Sequence, residues 1–306
     1  MQHKFRLLTG LLLLWTCSTA TPALSNEKLE VVASFSIIAD FVREIGGERV
    51  SVTALVGPDS DAHVYEPTPA DVKKVTAAGV IVVNGLGLEG WLNRLLEASG
   101  ARAPVVEASA DIIALPSGEQ EGSGEHEHGA LDPHAFQSIS NAMIYVGNIA
   151  EALCRAEPKD CAAFKANAQA YTAKLRALDE EVRTSVEKVP ADKRRIITSH
   201  DAFGYFAHAY GIDFLAPEGV STDAEASAAD VAKLIQQIRR QKASALFVEN
   251  ISDTRLIEQI ARETGLKVSG VLYSDALSGK RGPAPSYIDM MRHNVRIITA
   301  AINRGS

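Results

Sequence analysis

The chain has 306 residues, 46% hydrophobic and 23% charged, with a formal charge of −7. That composition excludes disorder, collagen and coiled coil, and the length allows two domains that each bury a core. Net acidity argues against nucleic acid as a partner, since phosphate contacts need a basic face.

Residues 1–25 read as a cleaved signal peptide. Lys4 and Arg6 precede an apolar run over 7–15, and Ala23 and Ser25 place small residues at −3 and −1 of a cut. The run is about half the ~20 residues that a membrane-spanning helix needs. Export to the periplasm removes Cys17 and two basic residues, leaving the mature chain at −9.

Along the mature chain, β-branched runs at 30–33, 50–56, 80–83 and 105–107 alternate with helical stretches such as 70–78. Residues 108–115 are less regular, and the polar stretch 116–130 reads as a mobile loop. A second set of strands at 195–199, 213–215, 245–249 and 267–272 frames helices at 229–242 and 254–264. The pattern predicts an α/β protein with two similar domains and mostly parallel sheets. Between the blocks, Phe164, Ala168, Tyr171, Leu175, Leu178 and Val182 recur at spacings of three and four without glycine or proline. That stripe predicts one rigid helix, about 40 Å long, spanning both domains. The expected division is residues 26–161 for the N-terminal domain, 162–189 for the linker helix and 190–306 for the C-terminal domain.

On a straight helix Cys154 and Cys161 would lie about 10 Å apart, too far for a bond. Pro158 should break the helix between them, so a structural disulfide is expected in an oxidising compartment, with two free thiols as the alternative.

Four residues carry the candidate chemistry. His200 and Asp275 follow strands of the second block, and His63 follows the strand 50–56 through a Gly57-Pro58-Asp59-Ser60 turn. His134 lies beyond the loop 116–130. Ligands collect at the carboxyl ends of open parallel sheets, so two candidates from each half predict one site in the interdomain cleft. Their sequence spacing matches no local metal motif. Three imidazoles and a carboxylate suit four-coordinate zinc, whereas manganese and iron(II) prefer more oxygen donors. Glu249 and Asp201 are candidates to fix the far nitrogen of a ligating imidazole. His126 and His128 could capture metal transiently from the loop, or make it merely polar. His208 and His293 fall in helices and read as structural.

Two other chemistries compete. Gly85-Leu86-Gly87-Leu88-Glu89-Gly90 spells a dinucleotide fingerprint, with Glu107 near the ribose position, but Glu89 and Trp91 would face an anionic pyrophosphate. A secreted zinc hydrolase would need an open position on the metal, and no His-Glu-x-x-His helix is present.

The stretches Gly57-Pro58-Asp59-Ser60-Asp61-Ala62-His63-Val64-Tyr65-Glu66-Pro67, Asp132-Pro133-His134-Ala135-Phe136, Ser199-His200-Asp201-Ala202-Phe203-Gly204-Tyr205-Phe206 and Tyr273-Ser274-Asp275-Ala276-Leu277 resemble the metal-binding segments of cluster A-I solute-binding proteins, the periplasmic zinc and manganese receptors of ABC importers. Glu249-Asn250-Ile251-Ser252-Asp253-Thr254-Arg255-Leu256, with Cys154 and Cys161, looks most like the AztC-type zinc branch. The resemblance implies two α/β domains joined by a long helix, and ligand roles for His63, His134, His200 and Asp275. It implies a monomeric receptor, not an enzyme, that captures Zn(II) and delivers it to a membrane permease. A periplasmic zinc metallochaperone is implied as a donor. Manganese and iron receptors of the family, the alternative reading, usually carry Glu at the position of His200. The loop 116–130 departs from the family's zinc receptors, whose loop is often longer and richer in histidine.

Overall fold

The computed structural model describes residues 27–117, 131–224, 226–241 and 243–304. The signal segment, Cys17, His126 and His128 lie outside the described residues. The first half runs β1 (Leu29–Phe35), α1 (Ser36–Gly46), β2 (Val50–Val56), α2 (Pro69–Ala77), β3 (Val80–Val83), α3 (Leu92–Ser99), β4 (Val105–Glu107) and α4 (Ile139–Ala156). Then α5 (Cys161–Glu187) leads to the second half: β5 (Arg195–Ile197), α6 (Gly204–Tyr210), β6 (Asp213–Leu215), α7 (Ala228–Gln241), β7 (Ala245–Glu249), α8 (Thr254–Thr264), β8 (Val268–Leu272) and α9 (Tyr287–Arg304).

Each half builds one four-stranded parallel sheet, in the orders β2-β1-β3-β4 and β6-β5-β7-β8. The two orders are the same, with the first strand of each half second in its sheet. Central strands such as β3 are buried throughout, which requires the continuous β-branched runs seen in sequence. In both sheets the direction of strand addition reverses beside the first strand, opening a crevice at the carboxyl ends.

Local chemistry sets the helix ends. Thr68 and Asp71 make a reciprocal capping box with Pro69 at the first helical position of α2. The 27-residue α5 buries Phe164, Tyr171, Leu175, Leu178 and Val182 along one stripe. That stripe packs against α1 and α4 of the first domain and α6 and α9 of the second, so one helix links both. A short turn at Pro158–Asp160 separates α4 from α5 and brings Cys154 and Cys161, with Cα atoms 4.4 Å apart, into a disulfide.

The main core runs without a break from the first domain through α5 to α9. A second, smaller core lies under α7 and α8, built on Ile197, Val231, Leu234, Leu246, Ile257 and Ile260. One strand is shorter than its sequence suggests: β5 ends at Ile197, not 199. The backbone N–H groups of Ser199 and His200 leave the ladder and donate to Glu249 Oε1, at 2.7 and 3.0 Å.

Candidate metal centre

His63 reaches the cleft from the loop after β2, and His134 from the segment between β4 and α4. His200 follows β5 and Asp275 follows β8. All four stand past strand carboxyl ends, and one ligand atom from each lies within 4.8 Å of all the others. The three histidines present Nε2 inward. His63 Nε2 is 3.2 Å from His134 Nε2 and 3.2 Å from Asp275 Oδ2. Asp275 Oδ2 is 3.0 Å from His200 Nε2, and Oδ1 is 3.5 Å from His134 Nε2. A tetrahedral zinc bonded at ~2.05 Å holds its donors about 3.3 Å apart, so these spacings fit a single ion.

The side chains of His134, His200 and Asp275 have no solvent exposure, and that of His63 has 4%. His63 also borders a cavity of about 580 Å³ with Leu86, Leu131, Val220 and Asp223. The site therefore opens to solvent on the His63 side.

Carboxylates behind the imidazoles fix two of them. Asp132 Oδ1 accepts the backbone N–H of His134 at 2.9 Å and lies 2.8 Å from its Nδ1. Glu249 Oε2 lies 2.7 Å from His200 Nδ1. Such partners set the tautomer and the ring orientation of a ligand. Glu249 arrives on β7, the parallel neighbour of β5. The carboxylate contacts to the two ring nitrogens come from Asp132 and Glu249, and the backbone N–H of Asp201 donates to Gly219 O. Asp132 opens the stretch Asp132-Pro133-His134-Ala135-Phe136, and its Asp-x-His spacing is a local mark of that pairing. Gly204 lets α6 approach it closely, since a Cβ there would stand 2.5 Å from Asp132 Oδ2.

Asp275 is held by the opposite domain. Gln137 Nε2 donates to Ser274 O at 2.7 Å, and Ser36 Oγ accepts from Leu277 N–H at 2.9 Å. Burial disfavours charge throughout the cluster, yet mutual pairing overrides it. The His134 and His200 rings hold the Asp275 carboxyl well below its ordinary range. Despite burial, Asp275 and Asp132 push His134 up to about 9, and Glu249 and Asp275 raise His200 well above an ordinary imidazole. A metal entering this site must displace protons from imidazole.

The remaining candidates do other work. The N–H groups of Asn84 and Gly85, which would cradle a phosphate, already donate to the buried Glu89 carboxylate at 2.7 and 3.2 Å. Trp91 Nε1 donates to Ala62 O at 2.8 Å and so steadies the loop of His63. The glycine-rich stretch is thus an internal anchor, not a nucleotide site. His293 is buried with Nε2 3.0 Å from Val271 O, and His208 is exposed on α6.

Comparison with known proteins agrees with this geometry. The family described as "Zinc-uptake complex component A periplasmic" matches residues 31–301. The chain is 35% identical over 279 residues to the manganese-binding lipoprotein MntA of Halalkalibacterium halodurans, covering 91% of this chain and 90% of that one. It is 35% identical over 277 residues to the iron-binding protein YfeA of Yersinia pestis, covering 90% and 87%. The periplasmic zinc binding protein TroA from Treponema pallidum superposes with a TM-score of 0.82 at 32% identity, over 90% of this chain and 99% of that one. The names differ in metal, and all three describe metal-binding proteins. The chain belongs to the family of periplasmic zinc-uptake component A proteins, which are metal receptors for transport and not enzymes.

Proposed function

We propose that the chain captures Zn(II) in the periplasm and delivers it to the membrane permease of an ABC importer. The observation that carries this reading is the donor set: three imidazole nitrogens and one carboxylate, four of their contacts at 3.0–3.5 Å and one ligand atom of each within 4.8 Å of all the others, which suits a four-coordinate ion. Two of the rings are fixed by carboxylates, and four protein donors leave no position for a catalytic water. In the metal-loaded receptor His63 is the outermost ligand, His134 and His200 are the fixed ones, and Asp275 supplies charge. His63 binds and releases last and first, because it alone faces the cavity.

A manganese or iron receptor is the second reading, and the comparisons favour it. Relatives named for manganese and iron outnumber those named for zinc among the most similar proteins. Against it stands His200, a nitrogen donor where a harder ion prefers oxygen. The AztC-type assignment rests on the 249–256 stretch and the Cys154–Cys161 pair, and with it comes a periplasmic metallochaperone as zinc donor.

Metal content of the protein as isolated from the periplasm, followed by direct competition between zinc and manganese, tests the choice. Zinc as the retained ion, displacing manganese at equal concentration, is the expected result. Retained manganese or iron that equimolar zinc fails to displace establishes the second reading. His200→Glu should shift the competition towards manganese.

A further inference from the structure

Two carboxylates just before His63 bridge the cleft without touching the metal site's donor atoms. Asp59 is exposed and adopts φ 51°, a left-handed conformation that Asp tolerates better than most residues. Its backbone N–H donates to Leu277 O at 2.9 Å. Its carboxylate accepts from Asn250 Nδ2 at 3.1 Å and from the N–H of Gly279 at 3.2 Å. Asn250 Nδ2 is shared, donating also to Ala276 O at 3.2 Å. Asn250 is next to Glu249, which holds His200, and Ala276 is next to Asp275. Two residues on from Asp59, Asp61 accepts the backbone N–H of His63 at 2.8 Å and the hydroxyl of Thr222 at 2.6 Å. Two ligand-bearing segments, those of His63 and Asp275, thus meet the segment of Glu249 at one node on the surface.

We propose that Asp59 is a positioning residue, a clasp that holds the cleft closed and sets how fast bound metal leaves. Metal leaving past His63 requires that loop to part from the segments of Asp275 and Glu249. The bonds of Asp59 exist only while those segments are together, so they favour the closed state selectively. A contact made in one of two states shifts the balance by its own free energy, and here the shift appears in the release rate. The proposal rests on the metal-receptor reading and holds for whichever ion the chain retains.

The test is the release of zinc, or of manganese if that is the retained ion, from the loaded full chain into excess chelator by stopped flow. Asp59→Gly keeps the left-handed backbone and the N–H to Leu277, removing only the side chain. Release should be about tenfold faster than wild type, the scale of losing hydrogen bonds to a charged group. The melting temperature of the metal-free protein should stay within about 2 °C of wild type, the shift of a surface substitution. Asn250→Ala should accelerate release too, and the double variant should be no faster than Asp59→Gly alone, because the bond of Asn250 to the His63 loop runs through Asp59. Wild-type release from Asp59→Gly, or two accelerations that multiply, would overturn the clasp. A wild-type chain that retains no zinc, manganese or iron would overturn the receptor reading and the clasp with it.

Discussion

Asp61-Ala62-His63 and Asp132-Pro133-His134 are two copies of one local pattern, and both fold so that the Asp carboxylate accepts the backbone N–H of the His, at 2.8 and 2.9 Å. They differ in what surrounds them. The second turn is buried, and the same carboxylate oxygen reaches His134 Nδ1. In the first turn the other oxygen crosses the cleft to Thr222, and the ring borders a cavity. Burial with a partner on the ring makes a fixed ligand. Attachment to the opposite domain makes a ligand that moves when the domains do. A receptor must hold its cargo and also surrender it, and the two turns divide those tasks.

The largest separation of the two turns should come from removing each ring. His134→Ala should weaken metal binding by on the order of a thousandfold or more, since each ligand of a buried four-donor site carries several kcal/mol. His63→Ala should lose about tenfold less, because water can fill the outer position. Competition against a chelator of known affinity measures both, and equal losses would abolish the distinction.

Acting on the carboxylates is gentler. Asp132→Asn should lower affinity 10- to 100-fold through the misoriented His134 ring. Asp61→Asn should leave equilibrium affinity within a few fold and shorten the residence time of the metal. A drop of similar size in both affinities would mean that the first turn also fixes its ring.

Protonation gives a third contrast. His134, raised to about 9, gains from its pairing with Asp275 and Asp132. The stability this gives the metal-free protein is fully present below pH 6.5 and is lost as pH rises through about 9. Metal binding runs the opposite way, its apparent affinity rising about tenfold per pH unit for each proton displaced. Calorimetry in buffers of different ionisation enthalpy should find proton release below pH 9, and its absence would place the protons elsewhere.

A last effect lies away from the cargo, at the join between α1 and α9. Asp40 accepts the first N–H of α9, from Tyr287, at 2.8 Å. Burial pushes its carboxyl from 3.8 up to about 6, so the charged form costs stability above pH 6, and the cost fades as pH falls towards 3.8. Asp40→Asn should therefore stabilise the metal-free chain at pH 7.5 by at most about 3 kcal/mol, with no gain near pH 3.8. Denaturant midpoints at the two pH values check the sign.

What could be read from sequence follows the range of the interaction. Buried parallel strands and the apolar stripe of α5 depend on spacing of a few residues, and their periods were visible. His200 and Asp275 were visible as polar residues just past a strand end, and His63 and His134 as polar residues in the loops that follow strands. The partners behind the rings were less so. Glu249 reaches His200 only because β7 lies beside β5, a pairing across about fifty residues of chain. Asp201 looked as suitable by proximity, but its backbone turns to Gly219 while β7 brings Glu249 to the ring. Asp59 and Asn250 are 191 residues apart, and nothing local marks them as partners.

The most direct test of the central claim is a crystal structure of the metal-loaded chain. A single ion bonded to Nε2 of His63, His134 and His200 and to an oxygen of Asp275 is the predicted result. An ion that leaves out His63 or Asp275 and carries water in its place would contradict it.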